Sequence, residues 1–200
     1  LDLMEAAVGA YPDARIESLA ASAEKDGVQE HGFPRLAANL GFLVANGRLA
    51  EKRQLLAHMM GMCCRDAAKG KMPVASSGNE FSVMELVWAL AQLERTGTYA
   101  KDVTDAWRAD LARISARDSY TMGRLRLGEG IARNWVVFAC ASEQARIAHA
   151  LGGDASFVEE YVADQLRWFD ENGMYRDPNQ PIVYDFVTRL QFMHILSDGY

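Results

Sequence analysis

ANGRLAEKRQLLAHMMGMCCRDAAKGKMPVASSGNEFSVMELVWALAQLERTG, residues 45–97, holds two helix-like stretches, a tight glycine turn at either end and one long polar loop between them. Leu49, Leu55, Leu56, Met59, Met60 and Cys63 recur at helical spacing in the first stretch. The second opens with Ser82-Val83-Met84-Glu85, the pattern of a capping box, in which serine and glutamate satisfy the first free amides of a helix. The same alternation runs along the chain. Tight turns are expected at Asn46-Gly47, Thr96-Gly97 and Gly152-Gly153, and long loops over 27–33, 69–81, 118–132 and 172–181. In a stack of antiparallel helix pairs, alternate connections lie on opposite rims. All the long loops would then share one rim, and loops held together by a rigid scaffold carry function.

Working outward, the periodicity predicts helices over 2–9, 13–25, 35–45, 48–68, 82–95, 99–117, 133–150, 155–171 and 182–197, with no competing strand pattern. Phe157, Val158, Tyr161, Val162, Leu166 and Phe169 share one broad apolar face. Pro181 suits the first turn of the last helix. Paired helices repeating every 40–50 residues or so suggest a toroid or an open solenoid. Neither the tetratricopeptide nor the HEAT consensus is present, and the unequal loops favour a toroid or partial toroid with a pocket at one end.

The 200 residues suffice for one helical domain, and half of them are apolar. A net charge of −6 argues against nonspecific binding to nucleic acid or anionic membrane. No run approaches the roughly 20 apolar residues of a membrane span, so no membrane insertion is expected. Cys63, Cys64 and Cys140 lack both a disulfide framework and zinc spacing, and read as buried thiols. Four dispersed histidines without a ligand cluster imply no catalytic zinc, and no cofactor fingerprint appears. The start at Leu1 and the ending Asp198-Gly199-Tyr200 lead us to expect a piece of a longer chain.

Four groups of residues could carry chemistry. In the last helix Tyr184, Asp185, Thr188, Arg189 and Gln191 fall on one face, opposite Val183, Phe186, Val187, Leu190, Met193 and His194. A polar stripe is usually solvated, but this one holds tyrosine, threonine and glutamine and follows a long loop. His194, on the apolar face, reads as a core histidine. Asn79 and Glu80 lead into a helix N-terminus, whose dipole stabilises Glu80 as an anion and suits it to be a base or an anchor. Arg124, Arg126, Arg133, Asn134 and Trp135 combine cations, an amide donor and a stacking ring. The arginines can hold carboxylates bidentately. His31, in the first long loop, is the fourth.

Asn79-Glu80-Phe81-Ser82-Val83-Met84-Glu85-Leu86, Asn134-Trp135, Asn172-Gly173-Met174-Tyr175-Arg176-Asp177-Pro178 and Tyr184-Asp185 together resemble bacterial carbohydrate-active enzymes built on an (α/α) toroid. The families are the heparinase-like polysaccharide lyases and the toroidal β-glucuronidases, with similarity over most of 33–200. The resemblance implies an all-α toroid or partial toroid of antiparallel helix hairpins, with residues 1–200 forming part of a longer toroid chain. It also implies a uronate-containing glycan as partner, no cofactor, and a bacterial cytoplasmic or periplasmic setting. Two chemistries follow from it. For β-elimination, Tyr184 would be base or acid with His31 as its partner, and Asn134 with Arg189 would clamp the uronate carboxylate. For hydrolysis, Glu80 with Asp185 or Asp177 would form the carboxyl pair. Asn79, Arg124, Trp135, Tyr175 and Asp177 complete the expected substrate contacts. Elimination is favoured slightly. A helical-repeat binding protein without chemistry is the alternative of another class.

Overall fold

The computed structural model describes residues 1–70, 78–121, 134–177 and 181–200. Among them lie α1 (Asp2–Gly9), α2 (Asp13–Asp26), α3 (Gly32–Ala45), α4 (Arg53–Lys69), α5 (Val83–Arg95), α6 (Lys101–Ala112), α7 (Ala116–Ser119), α8 (Asn134–Ala148), α9 (Ala155–Leu166) and α10 (Pro181–Ser197). No strand occurs among the described residues, only an isolated antiparallel bridge between Phe169 and Tyr175. The all-helical architecture is therefore as expected.

The helices form two layers. In one, α3 lies against α5, α5 against α8, and α8 against α10. In the other, α2 packs on α4 and α4 on α6. Hairpin partners join the layers through α3–α4, α5–α6 and α8–α9. Side-chain contacts set the directions. Arg35, early in α3, reaches Glu85, early in α5, while Gly41 meets Ala89 halfway along both helices. Gln144, late in α8, donates to the Asp198 carbonyl just beyond α10. The four helices of this layer thus run parallel, with their N-termini on one side.

Two of the tight turns end their helices in the same way. Arg48 N–H returns to Leu43 O and Thr98 N–H to Leu93 O, with Gly47 and Gly97 in the left-handed region just before. This closure uses up carbonyls left free at a helix end. At the third turn Leu151 N–H returns to Arg146 O, but the left-handed residue is Ala150, at φ 54°. Gly153 there serves close approach instead. A Cβ on it would sit 2.6 Å from the Glu143 carbonyl oxygen.

Several local expectations are corrected. The helix expected over 99–117 ends at Ala112, because the buried Arg146 guanidinium takes the carbonyls of Leu111 and Ile114 at 3.1 and 2.9 Å. The helix expected to reach residue 171 ends at Leu166, and the chain turns back through residues 168–176, with Arg176 N–H on Trp168 O. The capping box does not form. The Ser82 hydroxyl points to Asn79 O, and Glu85 pairs with Arg35 at 3.2 Å. The largest reversal is in α10. Its polar stripe faces inward, with Thr188 at 0% and Gln191 at 4% exposure, while Phe186 stands 72% exposed.

Candidate functional site

Most of the quoted polar motif residues are buried at the long-loop rim, where they tie elements together. Asn79 donates to Ala67 O at 3.1 Å and Ser119 O at 3.4 Å, closing the C-terminal ends of α4 and α7. Its buried Oδ1 has no hydrogen-bond partner among the described residues. Glu80 is buried. One of its carboxylate oxygens accepts from Thr121 N–H at 3.2 Å, and its carbonyl accepts from the Ser142 hydroxyl at 3.1 Å. Asp177, also buried, accepts the Asn134 backbone N–H at 3.0 Å and so caps the start of α8.

A second lock holds the 168–176 hairpin against α10. Asp185 accepts the Tyr175 backbone N–H at 2.7 Å and pairs with Arg189 at 3.0 Å. Arg189 also donates to Gly173 O and lies over the Phe169 ring, 5.6 Å from its centroid. The Tyr175 hydroxyl donates to the buried Gln165. Burial pushes the Asp185 carboxyl up, but the bonds from Arg189 and Tyr175 outweigh it, and its pKa is lowered. Arg189 and Asn134, expected as a carboxylate clamp, thus belong to two separate locks, Arg189 through its guanidinium and Asn134 through its backbone N–H. Arg124, Arg126, Arg133 and the Ser76-Ser77 segment fall outside the described residues.

Other residues line a funnel on the layer of parallel helices. At the rim the His31 ring lies 5.5 Å from Phe81, and Phe81 meets Trp135 edge-on at 5.1 Å. One helical turn deeper come Arg35, Glu85 and Phe138, at i+4, i+4 and i+3 from those three. Phe138 lies 4.6 Å from Phe81, with the Arg35 guanidinium 6.0 Å from its ring centroid. On α10, Tyr184 stands one turn before Val187 and two before Gln191. Arg35, Glu85, Trp88, Phe138, Gln191 and His194 line a cavity of about 370 Å³ between α3, α5, α8 and α10. His194, expected in the core, packs edge-on against Trp88 at 4.8 Å on this wall. Burial makes the Glu85 carboxyl hold its proton more tightly, although Arg35 opposes the shift. Burial also lowers the His194 pKa, against the pull of Asp198.

Tyr184 is not among the residues lining the cavity. The funnel therefore unites His31, Trp135 and the Gln191 of the polar stripe from the sequence reading with Arg35, Glu85 and Phe138, which it missed as site residues. Their signal was available. Each lies one helical turn beyond a residue already singled out, or beyond the Phe81 of a quoted motif.

All three cysteines are buried free thiols, and burial pushes their pKa values up, which leaves them unreactive. Among the described residues no group of three or more His, Cys, Asp or Glu side chains could hold a metal. None of the described helices is long and apolar enough to cross a membrane. Comparison with family models, curated proteins and solved structures gives no match to this chain.

Proposed function

We propose that this chain is the helical part of an (α/α)-toroid carbohydrate-active enzyme that cleaves a uronate-containing glycan by β-elimination. The observation that carries the reading is the funnel, in which His31 and the Trp135–Phe81 ledge stand above a cavity on four parallel helices. Two layers of helices, with the N-termini of the parallel layer on one side, fit a partial toroid. Aromatic faces suit the C–H faces of sugars. The positive ends of four helix dipoles, converging on that side, favour an anionic substrate.

In this reading a uronate lies against Trp135 near the helix N-termini, which lower the cost of negative charge on its carboxylate. Tyr184 or His31 removes the proton at C5. The C5–H electrons form the C4=C5 double bond, the C4–O bond breaks, and the leaving oxygen takes a proton from the other group. His31 packs at the rim against Phe81, unlike Glu80, which is committed to Thr121 and to the packing of α5 on α8. Hydrolysis is the second reading. It is favoured by Glu85, whose buried carboxyl is shifted in the direction a general acid needs.

The test is incubation with glucuronate-containing glycans while following absorbance near 232 nm and new reducing ends. Rising absorbance, lost about 100-fold or more in Tyr184→Phe, supports elimination with Tyr184 transferring a proton. Reducing ends without absorbance, abolished in Glu85→Gln, would replace elimination by hydrolysis.

A further inference from the structure

α10 buries one face and leaves an apolar one outside. Thr188, Gln191 and Ile195 are buried in the fold. Across the helix from them, Val183, Phe186, Leu190 and Met193 stand 55%, 72%, 39% and 64% exposed. Their spacing of three, four and three residues is that of the a and d positions of a heptad, the seam along which one helix packs on another. Ile182 and Leu196 continue the exposed face toward its ends. A surface helix normally turns polar and charged side chains outward. The charged side chain on this side, Arg189, is already held by Asp185 and by the Gly173 carbonyl. At their exposure these six apolar side chains offer about 700 Å², more than the roughly 300–600 Å² of the largest patch on a typical monomer and above the roughly 500 Å² per partner of a small specific interface.

We propose that this face of α10 packs on the same face of a second copy of the chain, as an antiparallel two-fold dimer. A two-fold contact requires a patch that is complementary to itself. The α10 seam meets that requirement. A two-fold axis at the level of residue 188 sets Val183 against the partner's Met193 and Phe186 against the partner's Leu190, so every seam residue meets a seam residue. Antiparallel pairing also sets the two helix dipoles head to tail, which parallel pairing does not. Beside the seam, a groove of about 490 Å³ with Leu166, Phe169 and Tyr200 in its wall extends the apolar contact toward α9. On the other flank Leu190 lines the cavity between α3, α5, α8 and α10, which places the second copy at the edge of that cavity. The dimer rests on α10 and its groove and is independent of the glycan chemistry.

The experiment is sedimentation equilibrium of the full chain across the micromolar range, beside Phe186→Glu/Met193→Glu with its helical spectrum intact. The expected result is a monomer of 22.2 kDa in exchange with a saturable species of twice that mass. In the variant the dissociation constant should rise at least about 100-fold, because each glutamate would be buried in an apolar seam. Cross-linking reads the register. Cys63, Cys64 and Cys140 are buried, so a short bis-maleimide reports on introduced cysteines. A mixture of Val183→Cys and Met193→Cys chains should cross-link, and either chain alone far less, because its two copies of the cysteine lie about 15 Å apart along the helix axis. A chain that stays monomeric throughout leaves the face to a different partner and overturns the proposal. A dimer that survives both glutamates overturns it too, as does open-ended growth beyond a dimer, the mark of a head-to-tail contact. Cross-linking as strong in either chain alone as in the mixture marks a parallel seam and overturns the antiparallel dimer.

Discussion

Replacing Arg146 by methionine would remove the tie between four elements. Arg146 is 1% exposed and sits one turn from Glu143, which is 0% exposed and pairs with it. Its guanidinium donates to the carbonyls of Leu111, Ala112, Ile114 and Leu151 at 3.1, 3.4, 2.9 and 3.2 Å. Glu143 in turn accepts the Tyr120 hydroxyl at 2.7 Å and the Asp154 backbone N–H at 2.8 Å. Methionine fills much of the space but leaves the end of α6 open and Glu143 as a buried charge without its cation. Removing one partner of a buried pair costs about 3–5 kcal/mol. Against a total stability of about 5–15 kcal/mol, that is a large share. At about 2–4 °C per kcal/mol for a chain of this size, the midpoint should fall by about 6–20 °C. Urea denaturation followed by far-ultraviolet circular dichroism would read the loss at constant m value. The double variant Glu143→Leu/Arg146→Met should lose less than the two single variants summed, because it leaves no unpaired charge. A loss under about 1 kcal/mol in Arg146→Met, where 3–5 is expected, would refute this account of how α6, α8 and α9 are held. So would a double variant at least as unstable as the sum.

Other perturbations follow from the same packing. Ala150→Gly should stabilise by roughly 0.5–1 kcal/mol, since Ala150 holds φ 54° where a Cβ is disfavoured, and thermal melts would check it. Gly78→Ala should destabilise by about 1–3 kcal/mol, because the added Cβ would lie 2.5 Å from Glu80 Oε2 and 2.6 Å from Thr121 Oγ1. Asp154 and Asp185 have lowered pKa values. For Asp154, burial raises it, but the Ser156 hydroxyl, the Phe157 amide and Arg117 outweigh burial. A carboxyl whose folded pKa lies below its unfolded value of 3.8 contributes stability above that value and loses it as pH falls through the folded pKa. Stability should therefore drop on acidification below about pH 4, less steeply in Asp154→Ala, which also loses the N-cap of α9 at a cost of about 1 kcal/mol. Phe186→Glu with Met193→Glu, at side chains 72% and 64% exposed, should leave the melting temperature unchanged and reduce concentration-dependent association in sedimentation.

The helices were legible because Leu, Met and Val recur at helical spacing against glycine turns, but the alternation of short and long connections holds only from α4 onward, since α2 joins α3 through 27–31 and α3 joins α4 through the longer 46–52. What periodicity does not carry is direction. It placed Thr188 and Gln191 together on one face of α10 and the apolar side chains opposite, with His194 in the core, whereas the Thr188–Gln191 face is buried and Phe186 and Met193 are left outside. Helix ends were misjudged where a distant side chain decides them. Arg146 stops α6 from 35 positions away, and Asp185 and Arg189 fasten the hairpin that ends α9 early. The motif residues Asn79, Glu80, Asn134 and Asp177 stood out because they are polar beside helix starts. That is also the signature of side chains that cap and lock buried backbone, the role the side chains of Asn79, Glu80 and Asp177 take here. The funnel was half legible. Its rim residues follow long loops, but its deeper wall is built from Arg35, Glu85 and Phe138, which lie inside helices and are found only by stepping one helical turn on from the rim residues.

The most direct measurement is the affinity of a glucuronate-containing oligosaccharide for the wild-type chain, Trp135→Ala and Arg189→Ala, by isothermal titration calorimetry. If the ledge engages the glycan, Trp135→Ala weakens binding by about tenfold or more, the scale of a stacking contact worth over 1 kcal/mol. Arg189→Ala then lowers thermal stability while its affinity stays near that of the wild type. Unchanged binding in Trp135→Ala, with affinity lost in Arg189→Ala, would contradict the account and return the site to the hairpin and the first turns of α10.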